Sequence, residues 1–321
     1  MVRPRSPRPG SCRLWAWPGV SPTPIGRAKS ARKPREPTKK SSGLAPKSAI
    51  RPVARARARA DHAGVGAGER CDRASLAAVY REGAAGYDTR WSPVILPLAE
   101  AVVAALELAG ASVVLDVGAG TGALTPALRV AAPRAAIVSI DPSQDMLEYA
   151  RARRGVLPIL GDAAALPHPD GCADAVMLAY VLFHLLDPEA GVREALRVLR
   201  PGSRLGTVTW QREWAPAADE VWTRGIEELE VPDFPAHSSH TGLDSVEAIE
   251  RLLVAAGARS RRVWVETVEH VYTEANYFDM RTTHGRNRAR LALLDDDRRT
   301  RVLAELRKRL EGLGPVSEKP T

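Results

Sequence analysis

Three glycines, Gly118, Gly120 and Gly122, alternate with small residues directly after an apolar run that contains an acidic residue, Asp116. Glycine adopts backbone angles that are closed to other residues and leaves no side chain between a turn and a ligand. The amides at the start of a following helix are free to bind a polar or anionic group. The turn therefore predicts a small-molecule site, although a strand-to-helix turn also needs one or two glycines for steric reasons alone.

Two more carboxylates follow the glycine turn. Asp141 ends the apolar run 137–141, about 20 residues on, where a doubly wound sheet binds a ribose. Asp162 follows Gly161 at the end of a third apolar run. Because the carboxyl ends of parallel strands share one edge of a sheet, we expect these carboxylates and Asp116 around one crevice. Three acidic strand ends favour a nucleoside over a phosphate, since carboxylates only accept hydrogen bonds.

The elements that position these residues alternate between strands and helices. The predicted strands are 113–117, 137–141, a run that ends before residue 161, 173–180, 205–209 and 262–272. The predicted helices are 94–108, 122–130, 143–153, 188–199, 244–256 and 297–310. This alternation predicts an α/β fold, with a doubly wound, mostly parallel sheet and helices on both faces. After residue 310 the sequence shows no final apolar strand.

The basic charge of the chain is concentrated at its N-terminus. Residues 1–60 hold 16 Lys and Arg against the single acid Glu36, whereas the remaining residues hold 30 basic and 37 acidic side chains. We expect residues 1–72, rich in Pro, Arg and Ser, to be a disordered tail, and residues 73–321 to form one domain. The tail has three interpretations: an incidental extension, an arm for nucleic acid or a membrane surface, or an organelle-targeting segment.

Cysteine usage and hydropathy indicate the compartment. Cys12, Cys71 and Cys172 are widely spaced and form no CxxC or Cys/His cluster, which argues against a disulfide framework or a structural zinc. The longest apolar stretch, 173–183, is too short for a bilayer. We therefore expect a cytoplasmic protein without a membrane partner.

Four motifs in this order make the chain similar to class I S-adenosylmethionine-dependent methyltransferases. They are VLDVGAGTG at 114–122, Asp141 at the second strand tip, GDAAALP at 161–167 and RVLRPG at 197–202. The resemblance covers about residues 80–210. It implies a Rossmann-like fold, S-adenosyl-L-methionine as cofactor and methyl transfer as activity.

The resemblance also implies roles for the residues of these motifs. Gly118, Ala119 and Gly120 would approach the methionine part, and Asp116 would help to place its ammonium group. Asp141 would accept both ribose hydroxyls. Asp162 would accept the adenine amino group, and the amide of Ala163 would donate to the ring.

Four further residues are expected at the cofactor. Pro142 follows the ribose carboxylate, and Met146 can touch the flat face of the base, although core packing explains Met146 equally well. Tyr180 begins a segment beyond the fourth strand that must face the crevice. Tyr87 lies before the first strand, where a helix can fold back over the crevice or can simply anchor on the sheet.

A cap inserted after the fifth strand, at about 211–243, is expected on the substrate side. Its aromatic and histidine side chains can line a substrate pocket, or they can pack on the sheet and remain solvated: Trp210, Trp214, Trp222, Phe234, His237 and His240. Tyr80 and Trp91 are expected across from them. His237 and His240 lack a third ligand at a recognisable spacing, so no metal site is predicted.

These features predict methyl transfer to a small, apolar or aromatic acceptor. His184 follows the fourth strand and is a candidate general base, because histidine ordinarily titrates at about pH 6.5; a structural hydrogen bond is its alternative role. The segment 179–184 differs from the Asp/Asn-Pro-Pro-Tyr/Phe motif of enzymes that methylate amino groups of nucleic acids. Nucleic acid is therefore expected as a partner only through the tail.

Two other classes compete with a methyltransferase. A nicotinamide oxidoreductase shares the glycines and Asp141, but it seldom has an acid at position 116 and gives no reason for Asp162. A protein that binds S-adenosylmethionine without catalysis, as a regulatory or interaction protein, stays open, because methyl transfer needs no universal catalytic residue.

Overall fold

The apolar runs of the sequence form one parallel sheet in a computed structural model that describes residues 80, 83–211, 217–234, 242–283 and 285–318. Its strands are β1 (Val113–Val117), β2 (Ala136–Asp141), β3 (Leu157–Leu160), β4 (Ala173–Ala179) and β5 (Leu199–Val208). They lie in the order β3-β2-β1-β4-β5, with every neighbouring pair parallel. The order reverses between β1 and β4, so the predicted doubly wound, Rossmann-like sheet is confirmed.

Helices connect and flank these strands. In chain order they are α1 (Ala84–Gly86), α2 (Ser92–Ala105), α3 (Thr125–Ala131), α4 (Gln144–Arg154), α5 (Pro188–Val198), α6 (Ala217–Glu228), α7 (Val246–Ala255), α8 (Glu274–Thr283), α9 (Gly285–Leu291) and α10 (Asp296–Leu310). A π-helical turn, Tyr87–Trp91, joins α1 to α2. Two short strands, β6 (His270–Tyr272) and β7 (Val316–Glu318), form a separate antiparallel pair.

Both faces of the large sheet are apolar because successive residues of a strand point to opposite sides. Val114 and Met177 belong to the core cluster that contains α2, whereas Leu115 and Val176 belong to the cluster that contains α5. All four are fully buried. This two-sided burial explains why the strand sequences are continuous apolar runs.

The helix after the glycine turn begins at Thr125, later than the predicted residue 122. Gly118, Gly120 and Gly122 have φ values of 70°, 53° and 71°, in the left-handed region. An α-helix cannot start while the backbone follows these angles. The turn is therefore longer than predicted and leaves its backbone free of helical hydrogen bonding.

The strand predicted over 262–272 is wrong for 262–269. Only His270–Tyr272 is a strand, and it pairs with β7. Residues 257–266 instead lie beside β5 across a cavity of about 990 Å³, and a strand cannot form without a partner for its backbone groups. Within the described part of the chain, β5 pairs only with β4, which leaves its outer edge open.

Several predictions concern residues outside the described ones. The tail at 1–72 and its boundary at 73 lie there, and so do Trp214, His237 and His240 of the inserted cap. Among the described helices, none is both long and apolar enough to cross a bilayer.

Candidate functional site

A cavity of about 400 Å³ opens at the carboxyl ends of β1, β2 and β4. Ten of the predicted site residues line it: Tyr87, Gly118, Gly120, Asp141, Pro142, Met146, Asp162, Ala163, Tyr180 and His184. Asp116 and Ala119 are not among the described lining residues. The sheet therefore brings together side chains that lie about 100 residues apart in sequence.

The glycine turn is packed directly against the segment after β4. A Cβ atom on Gly118 would lie 2.3 Å from Cγ2 of Val181, which is far inside van der Waals contact. The amides of Gly118 and Ala119 donate to the Ile140 carbonyl at 2.7 and 3.1 Å. These contacts fix the turn between β2 and β4 and explain why only glycine fits at position 118.

Two backbone amides hold the Asp141 carboxylate at the cavity wall. Gly120 N donates to Oδ2 and Ser143 N donates to Oδ1, both at 2.8 Å. Burial raises the pKa of Asp141 to about 6, while these two hydrogen bonds lower it. A carboxylate has about four acceptor positions, so Asp141 keeps capacity for the two hydroxyls of a diol.

Asp116 lies behind the wall rather than on it. Its side chain is 2% exposed, and Oδ2 has no hydrogen-bond partner among the described residues. Burial, and secondly the charge of Asp141, raises the pKa of Asp116 to about 7. The contact with an ammonium group that the resemblance implies for Asp116 stays a prediction.

The far end of the cavity is built by β3 and α4. Ala164 N donates to Oδ1 of Asp162 at 2.9 Å, which fixes the carboxylate beside Ala163. Met146 is buried in the first turn of α4, where its amide donates to the Ser143 hydroxyl at 3.4 Å. The Asp162 carboxylate, the Ala163 amide and the Met146 thioether together suit a planar base with an amino group.

Aromatic rings form the opposite end. The Tyr180 and Trp91 rings lie 4.5 and 5.6 Å from the Trp210 ring, centre to centre. The Tyr80 ring meets the Tyr87 ring edge to face at 5.9 Å. Burial raises the pKa of all three tyrosines, so their hydroxyls stay neutral. No Lys or Arg is present among the described lining residues.

Tyr180 has a left-handed backbone, with φ of 57°, which is rare for a bulky residue. Its amide donates to the Val208 carbonyl at 2.9 Å, and its hydroxyl donates to the Ile95 carbonyl at 3.4 Å. These bonds and the Trp210 contact hold the strained conformation. Strain at this position turns the chain so that the next residues line the cavity.

His184 ends a short 3₁₀ turn, Leu182–His184. Its Nε2 lies 3.3 Å from the Tyr80 hydroxyl oxygen, and its ring packs on Phe183 at 4.3 Å. Burial, and secondly the charge of Asp141, raises the pKa of Tyr80 far above its usual range. The Tyr80 hydroxyl therefore stays protonated, and it donates to Nε2 in the His184 tautomer that carries its proton on Nδ1.

Part of the predicted substrate wall lies elsewhere. Trp222 is buried on α6, 6.1 Å from the Phe278 ring, and Phe234 is partly buried away from the cavity. For Trp222 the alternative of packing is the correct one, because the apolar side of an amphipathic helix is buried in the core, whereas the role of Phe234 stays open. Trp210, by contrast, lines the cavity.

Phe183 lies in the segment 180–185 that was predicted to face the crevice, whereas Ser143 was not predicted as a donor to Asp141. An Asp-x-Ser arrangement at a strand end is the available signal, since such a carboxylate often bonds an amide two residues on. In the described ranges, no group of three His, Cys, Asp or Glu side chains is placed to hold a metal ion.

Residues 115–206 match a family model described as a methyltransferase domain. An uncharacterized methyltransferase of Mycobacterium tuberculosis is 38% identical over 123 residues, which are 38% of this chain and 47% of the relative. Demethylmenaquinone methyltransferase of Mycolicibacterium gilvum is 44% identical over 101 residues, 32% of this chain and 43% of the relative. The enzyme of that name from Thermus thermophilus is 41% identical over 125 residues, 37% of this chain and 54% of the relative.

The match runs through β1 to β5 and so includes the glycine turn and Asp141. This part of the chain is a methyltransferase domain. Its strand order and glycine turn agree with the class I, S-adenosylmethionine-dependent type that the motifs predict. The chain spans about half the length of the curated relatives it matches.

Proposed function

We propose that the protein is an S-adenosylmethionine-dependent methyltransferase that methylates a small-molecule acceptor. The strongest support is that the two ends of one cavity have different chemistry. Asp141 and Asp162 line one end at neighbouring strand tips, and neutral aromatic rings line the other. The matched methyltransferase relatives support the same reaction class.

The residues of the cavity fit the cofactor. Asp141 keeps free acceptor positions for the ribose hydroxyls, and Asp162 with Ala163 suits the adenine edge. At Gly120 an added Cβ would meet nothing within 4 Å, so the backbone there is open to the methionine part. The walls between these contacts are Tyr87, Pro142, Met146 and Tyr180, with Gly118 and Ala119 in the turn.

When bound, S-adenosylmethionine supplies a methyl group that its sulfonium already activates. The protein then has to orient an acceptor, exclude water and receive a proton. Tyr80, Trp91, Phe183 and Trp210 provide an apolar surface for a flat acceptor. The absence of Lys and Arg from the described cavity wall disfavours a phosphate group in the acceptor.

His184 is the proposed general base. With Nε2 of His184 unprotonated, the Tyr80 hydroxyl donates to it and can at the same time accept a proton from an acceptor hydroxyl. The proton leaves the acceptor oxygen, passes through Tyr80 and rests on Nε2 of His184. This arrangement favours an aromatic hydroxyl compound, and two of the relatives are named for the methylation of demethylmenaquinone.

The proposal is tested by cofactor binding to Asp141→Ala, measured by calorimetry. We expect affinity to fall by about 1.5 to 3 kcal/mol, the usual effect of losing charge-assisted hydrogen bonds. Asp297→Ala, an exposed aspartate at the start of α10, is the matched control and should bind as the wild type does. Unchanged affinity in folded Asp141→Ala protein would disprove this site.

A second measurement separates an enzyme from a binding protein without activity. The protein is incubated with S-adenosylmethionine and a demethylmenaquinone analogue in its reduced form, and then with other aromatic hydroxyl compounds. Acceptor-dependent formation of S-adenosylhomocysteine supports the enzyme. Tight cofactor binding without turnover on any acceptor supports the regulatory alternative.

A further inference from the structure

The turn Tyr87–Trp91 forms one side of the cavity and has π-helical geometry. Tyr87 and Trp91, at its two ends, both line the cavity. Single π-helical turns are rare and occur frequently at functional sites. Tyr87 and Trp91 therefore depend on whatever fixes this turn to the rest of the domain.

Asp88, between them, makes that attachment. Arg154 Nη2 donates to Oδ1 at 2.6 Å, Thr121 Oγ1 donates to the same oxygen at 3.1 Å, and the Tyr149 hydroxyl donates to Oδ2 at 3.1 Å. The side chains of Asp88 and Arg154 are only 13% and 19% exposed. One carboxylate thus receives three donors from two other elements.

These donors belong to the two elements that build the cofactor end. Thr121 is part of the glycine turn, and Tyr149 and Arg154 lie on α4, whose first turn holds Met146. Arg154 also donates to the Thr121 carbonyl at 2.9 Å, which closes a ring of bonds around Asp88. The aromatic turn and the glycine turn are therefore held to each other through one side chain.

The opposite side of the same turn has a weaker attachment. Arg90 Nη2 lies 3.2 Å from Oδ2 of Asp279 on α8, and both side chains are 40% exposed. Exposed ion pairs of this kind contribute little. The turn is therefore attached through a part-buried aspartate of its own, Asp88, and through an exposed aspartate of α8, Asp279, which allows a matched comparison.

We propose that Asp88 is a positioning residue that holds Tyr87 against bound S-adenosylmethionine, with Trp91 beside the acceptor, and so sets how long the cofactor stays in the cavity; this inference rests on the proposed function. Asp88 does not line the cavity, and it acts through the turn that it fixes. Losing the attachment frees the turn to move away from the cofactor, which raises the dissociation rate more than it changes the association rate.

The test uses the full chain and stopped-flow measurement of S-adenosylmethionine binding. Asp88→Asn keeps the shape of the side chain and removes its charge. We expect the dissociation rate to rise about tenfold or more, with the association rate within about threefold of the wild type. Asp279→Asn, the exposed control, should change either rate by less than about twofold.

Two milder variants keep the test valid when Asp88→Asn is unstable. Thr121→Val and Tyr149→Phe each remove one donor and leave the ion pair in place. We expect each to raise the dissociation rate about threefold. Hydrogen exchange of the amides at 87–91, with cofactor bound, gives a readout independent of turnover: exchange should be faster in the variants, with β1 amides unchanged.

The outcomes separate the two proposals. A lower unfolding midpoint with an unchanged dissociation rate in the folded protein shows a structural role only and overturns the inference, while the proposed function stands. Wild-type protein that binds no cofactor overturns both. Faster dissociation and faster exchange in the Asp88 and Thr121 variants, but not in Asp279→Asn, support the positioning role.

Discussion

The two ends of the cavity are built in different ways. At the cofactor end, the backbone does the positioning: Gly120 N and Ser143 N hold Asp141, and both lie at the tips of neighbouring strands. At the aromatic end, side chains from distant segments meet, as Tyr80 meets His184 across 104 residues of sequence. The first end is fixed by sheet geometry, and the second by the packing and hydrogen bonds of side chains from distant segments.

This difference predicts separate consequences of mutation. A change of His184 at the aromatic end should alter turnover and leave cofactor binding intact. A change in the glycine turn should affect folding and cofactor binding together, because the turn is part of the sheet edge. Three measurements test this division.

The largest expected effect is a loss of turnover on mutation of His184 at the aromatic end. His184→Gln should lower turnover by about 100-fold or more, the usual effect of removing a general base, with cofactor affinity unchanged. His168→Gln, a partly buried histidine that does not line the cavity, is the control. Equal turnover of His184→Gln and wild type on every acceptor would show that the base assignment is wrong.

The next largest effect is a loss of stability on mutation of Gly118 in the glycine turn. Gly118→Ala should lower the free energy of unfolding by about 2 kcal/mol or more, because alanine resists a φ of 70° and its Cβ would overlap Val181. Gly110→Ala is the control, since a Cβ there meets nothing within 4 Å. Denaturant unfolding measures both variants. The double variant Gly118→Ala/Val181→Ala should recover part of the loss; no recovery would mean that overlap is not the cause.

The smallest expected effect is that of pH. Lowering the pH should change the stability and the cofactor affinity in opposite directions. The pKa values of Asp141 and Asp116, about 6 and about 7, lie above those of unfolded aspartates, so the native state binds more protons in this range. Lowering the pH from 7 to 5 should therefore increase the contribution of these groups to stability. Over the same range cofactor affinity should fall about tenfold, because protonated Asp141 is a poorer acceptor.

Calorimetry between pH 5 and pH 8 measures the change in affinity, and thermal unfolding without cofactor measures the change in stability. Asp141→Asn removes the titrating group and should lose most of the pH dependence of binding. An affinity that is equally pH-dependent in Asp141→Asn would assign the effect to another residue.

The strands and the cofactor end could be predicted because their signals are local. A continuous apolar run followed by glycine or aspartate marks a strand end wherever it occurs, and parallel strands place such ends together. The aromatic end could not be predicted in detail. Trp210 and Trp222 have similar sequence surroundings, and only the position of α6 on the core decides that Trp222 is buried.

Asp88 shows the same limit. Its partners Thr121, Tyr149 and Arg154 lie 33, 61 and 66 residues away, and no pattern in the sequence joins them. The strand predicted over 262–269 failed for a related reason: its valines and tryptophan favour a strand, but pairing depends on the distance to β5, which the sequence does not contain.

The open edge of β5 affects how the protein behaves when copies meet at high concentration. An unpaired edge strand offers its backbone groups to a strand of another molecule, which is a route to aggregation. In β5 the first six residues contain Arg200, Pro201 and Arg204, and proline has no amide hydrogen to donate. Only residues 205–208 remain for regular pairing with a strand of another molecule, and this segment is shorter than an average strand. The fold can therefore leave this edge uncovered without inviting edge-to-edge association.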